Sequence, residues 1–176
     1  MKAAGIPHLH VPKFYVSTIN EEPSPKPGSL YGAKSAMAEL PRMIEEEDWD
    51  KVVKKIDESP SGSVQKEHLK SIVQKQAPLR VIRAISINNP SVLRERDNET
   101  ESFPLHLVSH FGAHFDAVKY LVDSYEEQLD KKDLAGDTPL DIILTTKWKN
   151  YDEQQKAMHY LKEKMKPENF QNSKND

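Results

Sequence analysis

Shifted by 36 residues, the chain falls on itself: Leu69, Ile72, Ala77, Ile82, Ile85, Leu93 and Asp97 land on Leu105, Val108, Ala113, Val118, Leu121, Leu129 and Asp133. A shift of 35 then places Pro104-Leu105 on Pro139-Leu140 and Leu107-Val108 on Ile142-Ile143. After a short insertion, Ala117-Val118-Lys119-Tyr120-Leu121 returns as Ala157-Met158-His159-Tyr160-Leu161. Self-similarity at such a period implies units that cannot bury their apolar side alone and must stack on neighbouring copies. Asp50-Lys51-Val52 matches Asp116-Ala117-Val118, which reads as a half-unit ahead of three complete ones.

Within a unit the pattern is a short helix, a tight turn, a second helix and a long loop carrying an Asp. Pro104 can start a helix that turns Leu105, Leu107, Val108 and Phe111 inward, and Gly112 can end it in the left-handed conformation. A second helix carries Val118, Leu121 and Val122, and Gly136 supplies positive φ in the loop that follows. Upstream, Pro41 predicts the start of one helix whose first turn holds the acidic run Glu45 to Asp48, a complement to the helix dipole, and whose inward face is Ile44, Trp49, Val52, Val53 and Ile56. No stretch alternates as a half-buried strand does. The expected fold class is all-α.

Asp133-Leu134-Ala135-Gly136-Asp137-Thr138-Pro139-Leu140-Asp141-Ile142-Ile143 resembles the ankyrin-repeat signature D-x-x-G-x-T-P-L-H-x-A, and Phe103 to His114 resembles the same start running into the glycine-histidine turn. The resemblance spans about Trp49 to Lys164. Departures are Glu67-His68-Leu69 for Thr-Pro-Leu, an extra residue in the Asn98 to Ser102 loop, Asp141 for the histidine, and a polar insertion from Lys147 to Gln154. It implies an ankyrin-type helical solenoid over residues 34–166, closed by an outer helix through Tyr160 and Lys164. It also implies a non-catalytic module that binds a protein through loop tips and the exposed side of the first helices. On this sequence that selects Arg96, Asn98, Glu101 and Phe103 from one loop, Lys132, Leu134 and Asp137 from the next, and Ser109, His110, Thr145 and Trp148 from the helices. Trp148, lying between Lys147 and Lys149, is expected at the surface.

Residues 1–33 hold Pro7, Pro12, Pro23, Pro25 and Pro27, which stop helix and ladder alike, and read as an extended arm. The arm is either a disordered tail or a strap whose Leu9, Val11, Phe14, Tyr15, Val16, Leu30 and Tyr31 lie along a partner or the domain's own back. An arm that holds the chain in a larger assembly is the alternative to groove binding. Residues 167–176, polar after Pro167, are expected to be a disordered tail. With 25 Lys plus Arg against 28 Asp plus Glu, net −3, and Arg80, Arg83, Arg94 and Arg96 scattered, no basic field for nucleic acid arises. The chain has no cysteine, hence no disulfide and no thiol ligand or nucleophile. No apolar run is long enough to insert in a bilayer. The expected setting is intracellular and cytoplasmic, although Lys2 and Lys13 without an acid before Glu21 keep organelle targeting open.

His106, His110 and His114, four apart, suggest metal ligation only on an unbroken helix, and Gly112 breaks it. The family resemblance places His106 and His114 as histidines that hydrogen-bond backbone. Convergence of His106, His110 and Asp141 would be required of an enzyme or metal protein. No phosphate loop or nucleophile elbow is present. The expectation is therefore no enzyme, no cofactor, no metal and no small-molecule substrate.

Overall fold

The computed structural model describes residues 37–166, which form eight α-helices and no strand. We number them α1 (Leu40–Glu45), α2 (Trp49–Asp57), α3 (Lys66–Gln74), α4 (Leu79–Asn88), α5 (Pro104–Phe111), α6 (Phe115–Ser124), α7 (Pro139–Thr145) and α8 (Tyr151–Lys164). Short 3₁₀ turns, Pro90–Leu93 and Glu126–Gln128, follow α4 and α6. None of the helices is long enough and apolar enough to cross a membrane.

The helices lie in two rows. In one row α1, α3, α5 and α7 contact each other in order. In the second, α2, α4, α6 and α8 do the same, and each odd helix also packs on the even one that follows it. Isolated helices of this length are marginal in water, so the stability lies in these contacts. Leu40, Ile44, Val52, Ile56, Ile72, Ile82, Ile85, Leu105, Val108, Val118, Leu121, Ile143 and Leu161 form one buried cluster running through all four pairs. The residues matched by the 36-residue shift share this environment: Ile72 and Val108, Ile82 and Val118, Ile85 and Leu121, and Leu93 and Leu129 are all buried. Leu69 and Leu105 are buried as well, and Leu140, their counterpart in the last pair, is half-buried.

Two expectations are corrected. The expected single helix from Pro41 is two helices. Glu47 turns left-handed at φ 54, and Asp48 starts α2 by accepting the backbone N–H of Lys51 at 3.2 Å. The first unit is thus a complete pair. The acidic run straddles the break, so only Asp48 serves the α2 N-terminus, while Glu45 and Glu46 end α1. Trp148 is not a surface residue: it is 5% exposed, and its indole N–H donates to the Ser109 carbonyl at 2.8 Å. It lies over Gly112, where a Cβ would stand 3.0 Å from Trp148 Cγ. Gly112 is therefore required twice, for its φ of 75° and for the close approach of the indole.

Substitutions at Glu47 and Gly112, two of the left-handed positions, should act in opposite directions. Exposed Glu47 sits at φ 54 with open solvent beside it, so Glu47→Gly is expected to raise the urea unfolding free energy by about 0.5–1 kcal/mol. Gly112→Ala should lower it by more than about 1 kcal/mol, through backbone strain and displacement of the indole. Urea titrations followed by circular dichroism measure both; equal tolerance at the two positions would contradict the assigned geometry.

Candidate functional site

Two loops, each fixed by an aspartate, frame a surface cavity. In the first, Asp97 Oδ2 accepts the N–H of Glu99 at 3.2 Å, the N–H of Thr100 at 3.0 Å and the Thr100 hydroxyl at 2.8 Å, while Asp97 N donates to Ser102 O at 2.8 Å. In the second, Asp133 Oδ1 accepts the N–H of Ala135 at 2.9 Å and of Asp137 at 3.0 Å, while Asp133 N donates to Asp137 O at 3.0 Å. The loops are the same device, the first with one more residue. Gly136 supplies a left-handed turn at φ 89, and Glu101 is forced into the corresponding conformation at φ 52.

The loops are joined directly. Leu134 N donates to Thr100 O at 2.9 Å, and the Arg96 guanidinium donates to Lys132 O at 3.2 Å and to Glu101 O at 3.1 Å. The same guanidinium lies 4.5 Å over the half-buried Phe103 ring, with Glu101 Oε2 at 3.4 Å. Arg96 is therefore a strap between loops, and its charge is engaged by its own neighbours.

Between the loops and α5 and α7 lies a cavity of about 420 Å³, lined by Lys70, Thr100, Ser102, His106, Leu107, His110, Phe111, Asp133, Ala135, Asp137, Ile142, Thr145 and Thr146. Of the residues selected from the sequence, His110, Asp137 and Thr145 line it and are exposed. His110 stands edge-on to Phe111 at 4.9 Å. Leu134 is 67% exposed on the adjoining loop tip, and Lys132 is exposed beside it. Asn98 is also exposed but accepts the ammonium of Lys66. Ser109 and Trp148 do not belong to this surface. Ser109 is fully buried, its hydroxyl donating to Leu105 O at 2.7 Å and its carbonyl receiving the Trp148 indole.

Sequence reasoning missed Lys70. It reaches from α3 to Asp97 at 3.3 Å and to Glu99 at 2.8 Å, and the Glu99 carboxylate holds its ammonium above the usual lysine range. Burial pushes Asp97 up, but the Thr100 hydroxyl and amide and the Lys70 ammonium outweigh that and hold it below the usual carboxylate range. The available signal was the i, i+4 placement of Lys66 and Lys70, which puts both lysines on one helical face opposite the acidic loop.

His106 is a structural cross-link. Its Nδ1 accepts the Phe103 N–H at 3.2 Å, so Nε2 carries the proton and donates to Lys131 O at 2.9 Å in the next loop. Asp141 performs the first of these tasks in the last pair, accepting the N–H of Thr138 at 3.0 Å and its hydroxyl at 2.7 Å. His114 departs from the expectation: exposed at the start of α6, it makes no capping bond with its side chain. Among the described residues, no three histidine or carboxylate side chains are placed to hold a metal ion. Compared with protein families, curated proteins and solved structures, the chain has no match.

Burial of His106 pushes its pKa below the ordinary value of 6.5, with weaker opposition from the Lys131 carbonyl. The folded protein therefore binds this proton less readily than the unfolded chain, and the contribution to stability is fully present above about pH 6.5 and declines as the pH falls below it. His68, also depressed by burial, acts in the same direction. Unfolding free energies measured from pH 7.5 to 5 should fall. In His106→Ala, destabilised at neutral pH by about 1–3 kcal/mol, the fall should be smaller; an unchanged slope would contradict this assignment.

Proposed function

We propose that the helix pairs form a short ankyrin-type solenoid and that the chain is a non-catalytic module holding a protein partner across the cavity between its loops and first helices. The observation that carries this reading is the ordering of the binding face before any partner arrives: Asp97, Asp133 and Arg96 fix both loops, leaving Leu134, His110, Asp137 and Thr145 exposed around a cavity of about 420 Å³. Supporting the solenoid are the two ordered rows of helices, the equivalent aspartate-fixed loops and the buried cap histidine at the motif position. Both ring nitrogens of His106, and Oδ2 of Asp141, are instead bonded to backbone. An intracellular, cytoplasmic setting belongs to the same proposal. The arm over residues 1–33, whether tail or strap, and the tail over residues 167–176 lie outside the described residues.

The test begins with affinity purification from the native source and identification of a protein that co-elutes and binds directly. Its affinity should fall about tenfold or more, ~1.4 kcal/mol, in His110→Asp and in Leu134→Asp, while the thermal midpoint changes little because both side chains are exposed. Removing residues 1–33 should leave the affinity unchanged. Full affinity in both point variants, with loss on removing the arm, would replace groove binding by arm-mediated assembly.

A further inference from the structure

The insertion between α7 and α8 is polar, yet it is rigidly built. Trp148 anchors it from inside, and the Gln154 amide donates to Ile143 O at 2.8 Å and Thr146 O at 2.6 Å. Asn150 Oδ1 accepts the N–H of Asp152 at 3.1 Å and of Glu153 at 3.2 Å, starting α8. With Trp148 turned inward, Lys147 and Lys149 on either side of it are exposed, and neither has a carboxylate within ion-pair distance among the described residues. Lys51, Lys70, Lys75, Lys119 and Lys156 are paired, whereas exposed Lys132 and Lys162 share the unpaired state of Lys147 and Lys149. The nearest acids in sequence are already occupied or offset: Glu153 accepts the Phe115 N–H at 2.7 Å and pairs with Lys156 at 2.9 Å, and the charge of Asp152 acts on the same Lys156. At the two ends of this stretch Leu144 is 52% and Tyr151 67% exposed. These side chains lie on the last helix pair, which has a neighbouring pair on one side only among the described residues.

We propose that this corner is a second protein-binding site, separate from the groove, that takes an acidic segment carrying an aliphatic or aromatic side chain. Carboxylates of the segment pair with Lys147 and Lys149, and the apolar side chain rests on Leu144 and Tyr151. Positive charge without an ion pair, close in sequence to two exposed apolar side chains, specifies that complement, and a backbone already held by Trp148 and Gln154 lowers the cost of ordering the site. Two lysines are too few for a nucleic-acid track, where affinity grows with the number of phosphates neutralised. An anionic bilayer is disfavoured for the same reason, since surface attraction accumulates over several basic residues.

The site can be tested without knowing its natural partner. A phage-displayed library of short random peptides is selected on the full chain after depletion on the Lys147→Glu/Lys149→Glu variant. Acidic sequences with a leucine or aromatic residue should be enriched. The synthesised peptides should lose at least tenfold in affinity on Lys147→Ala/Lys149→Ala and on Leu144→Ser/Tyr151→Ser, variants whose thermal midpoints match the parent. His110→Asp and Leu134→Asp should leave this binding intact, which separates it from the groove. Absence of an acidic consensus, or peptides indifferent to the lysine substitutions, overturns the proposal. So does lysine-dependent binding of polyuridylate or phosphatidylserine vesicles in the absence of enriched peptides.

Discussion

Helices of six to fourteen residues cannot hold themselves in water, and every other feature of this chain follows from that constraint. Each pair buries its apolar faces against the pairs beside it, at roughly 1.5–3 kcal/mol for each large aliphatic side chain fully removed from water. Burial alone is non-directional and would tolerate sliding of one pair on the next. Directional polar links set the register. The Asn88 amide donates to Ile56 O at 3.1 Å and to Pro60 O at 3.1 Å, and its carbonyl accepts the Val64 N–H at 3.2 Å, joining the second pair to the first. Gln128 repeats the device, donating to Leu93 O at 2.7 Å and accepting the Leu105 N–H at 3.2 Å. Among the described residues no buried side-chain polar atom lacks a partner, as a low-dielectric interior requires.

The same logic shapes the exposed loops. A loop that carried exposed side chains on a fluctuating backbone would lose entropy whenever those side chains were held in place. Here the ordering is done locally, by one aspartate accepting two backbone N–H groups, and then between loops, by the Leu134 N–H and the Arg96 guanidinium. Arg96 illustrates a general hazard in reading a sequence for function. A charged residue at a loop tip suggests recognition, but a guanidinium with two carbonyls and an aromatic face around it is structural.

What was legible in the sequence was whatever repeats or depends on one residue's conformational preference. The offset that matched Asp97 with Asp133 found two loops with the same hydrogen-bond plan, and Gly112 and Gly136 do adopt positive φ. The all-helical class followed from periodicity. Features depending on contacts between distant residues were hidden. Trp148 looked exposed because its neighbours are lysines, but burial was decided by Gly112, distant in sequence, which leaves room for an indole. Ser109 looked available for the same local reason, although its carbonyl receives that indole. The break at Glu47 was masked because apolar residues on both sides keep a helical spacing across it, and no glycine marks the left-handed turn.

The residue at the third position of α3, α5 and α7 is explained by its place in the row. His106 uses two ring nitrogens, one for its own helix start and one for the carbonyl of the following loop, so it ties its pair to the next. In α3, His68 accepts the Gln65 N–H at 3.0 Å, while the link to the following loop is carried by Lys70 to Asp97 and Lys66 to Asn98. In α7 no further pair follows among the described residues. A side chain there needs only to accept from its own helix start, and a carboxylate does this better than an imidazole because it is charged and can remain exposed. Asp141 accordingly serves its own helix start alone, with no following loop to reach among the described residues.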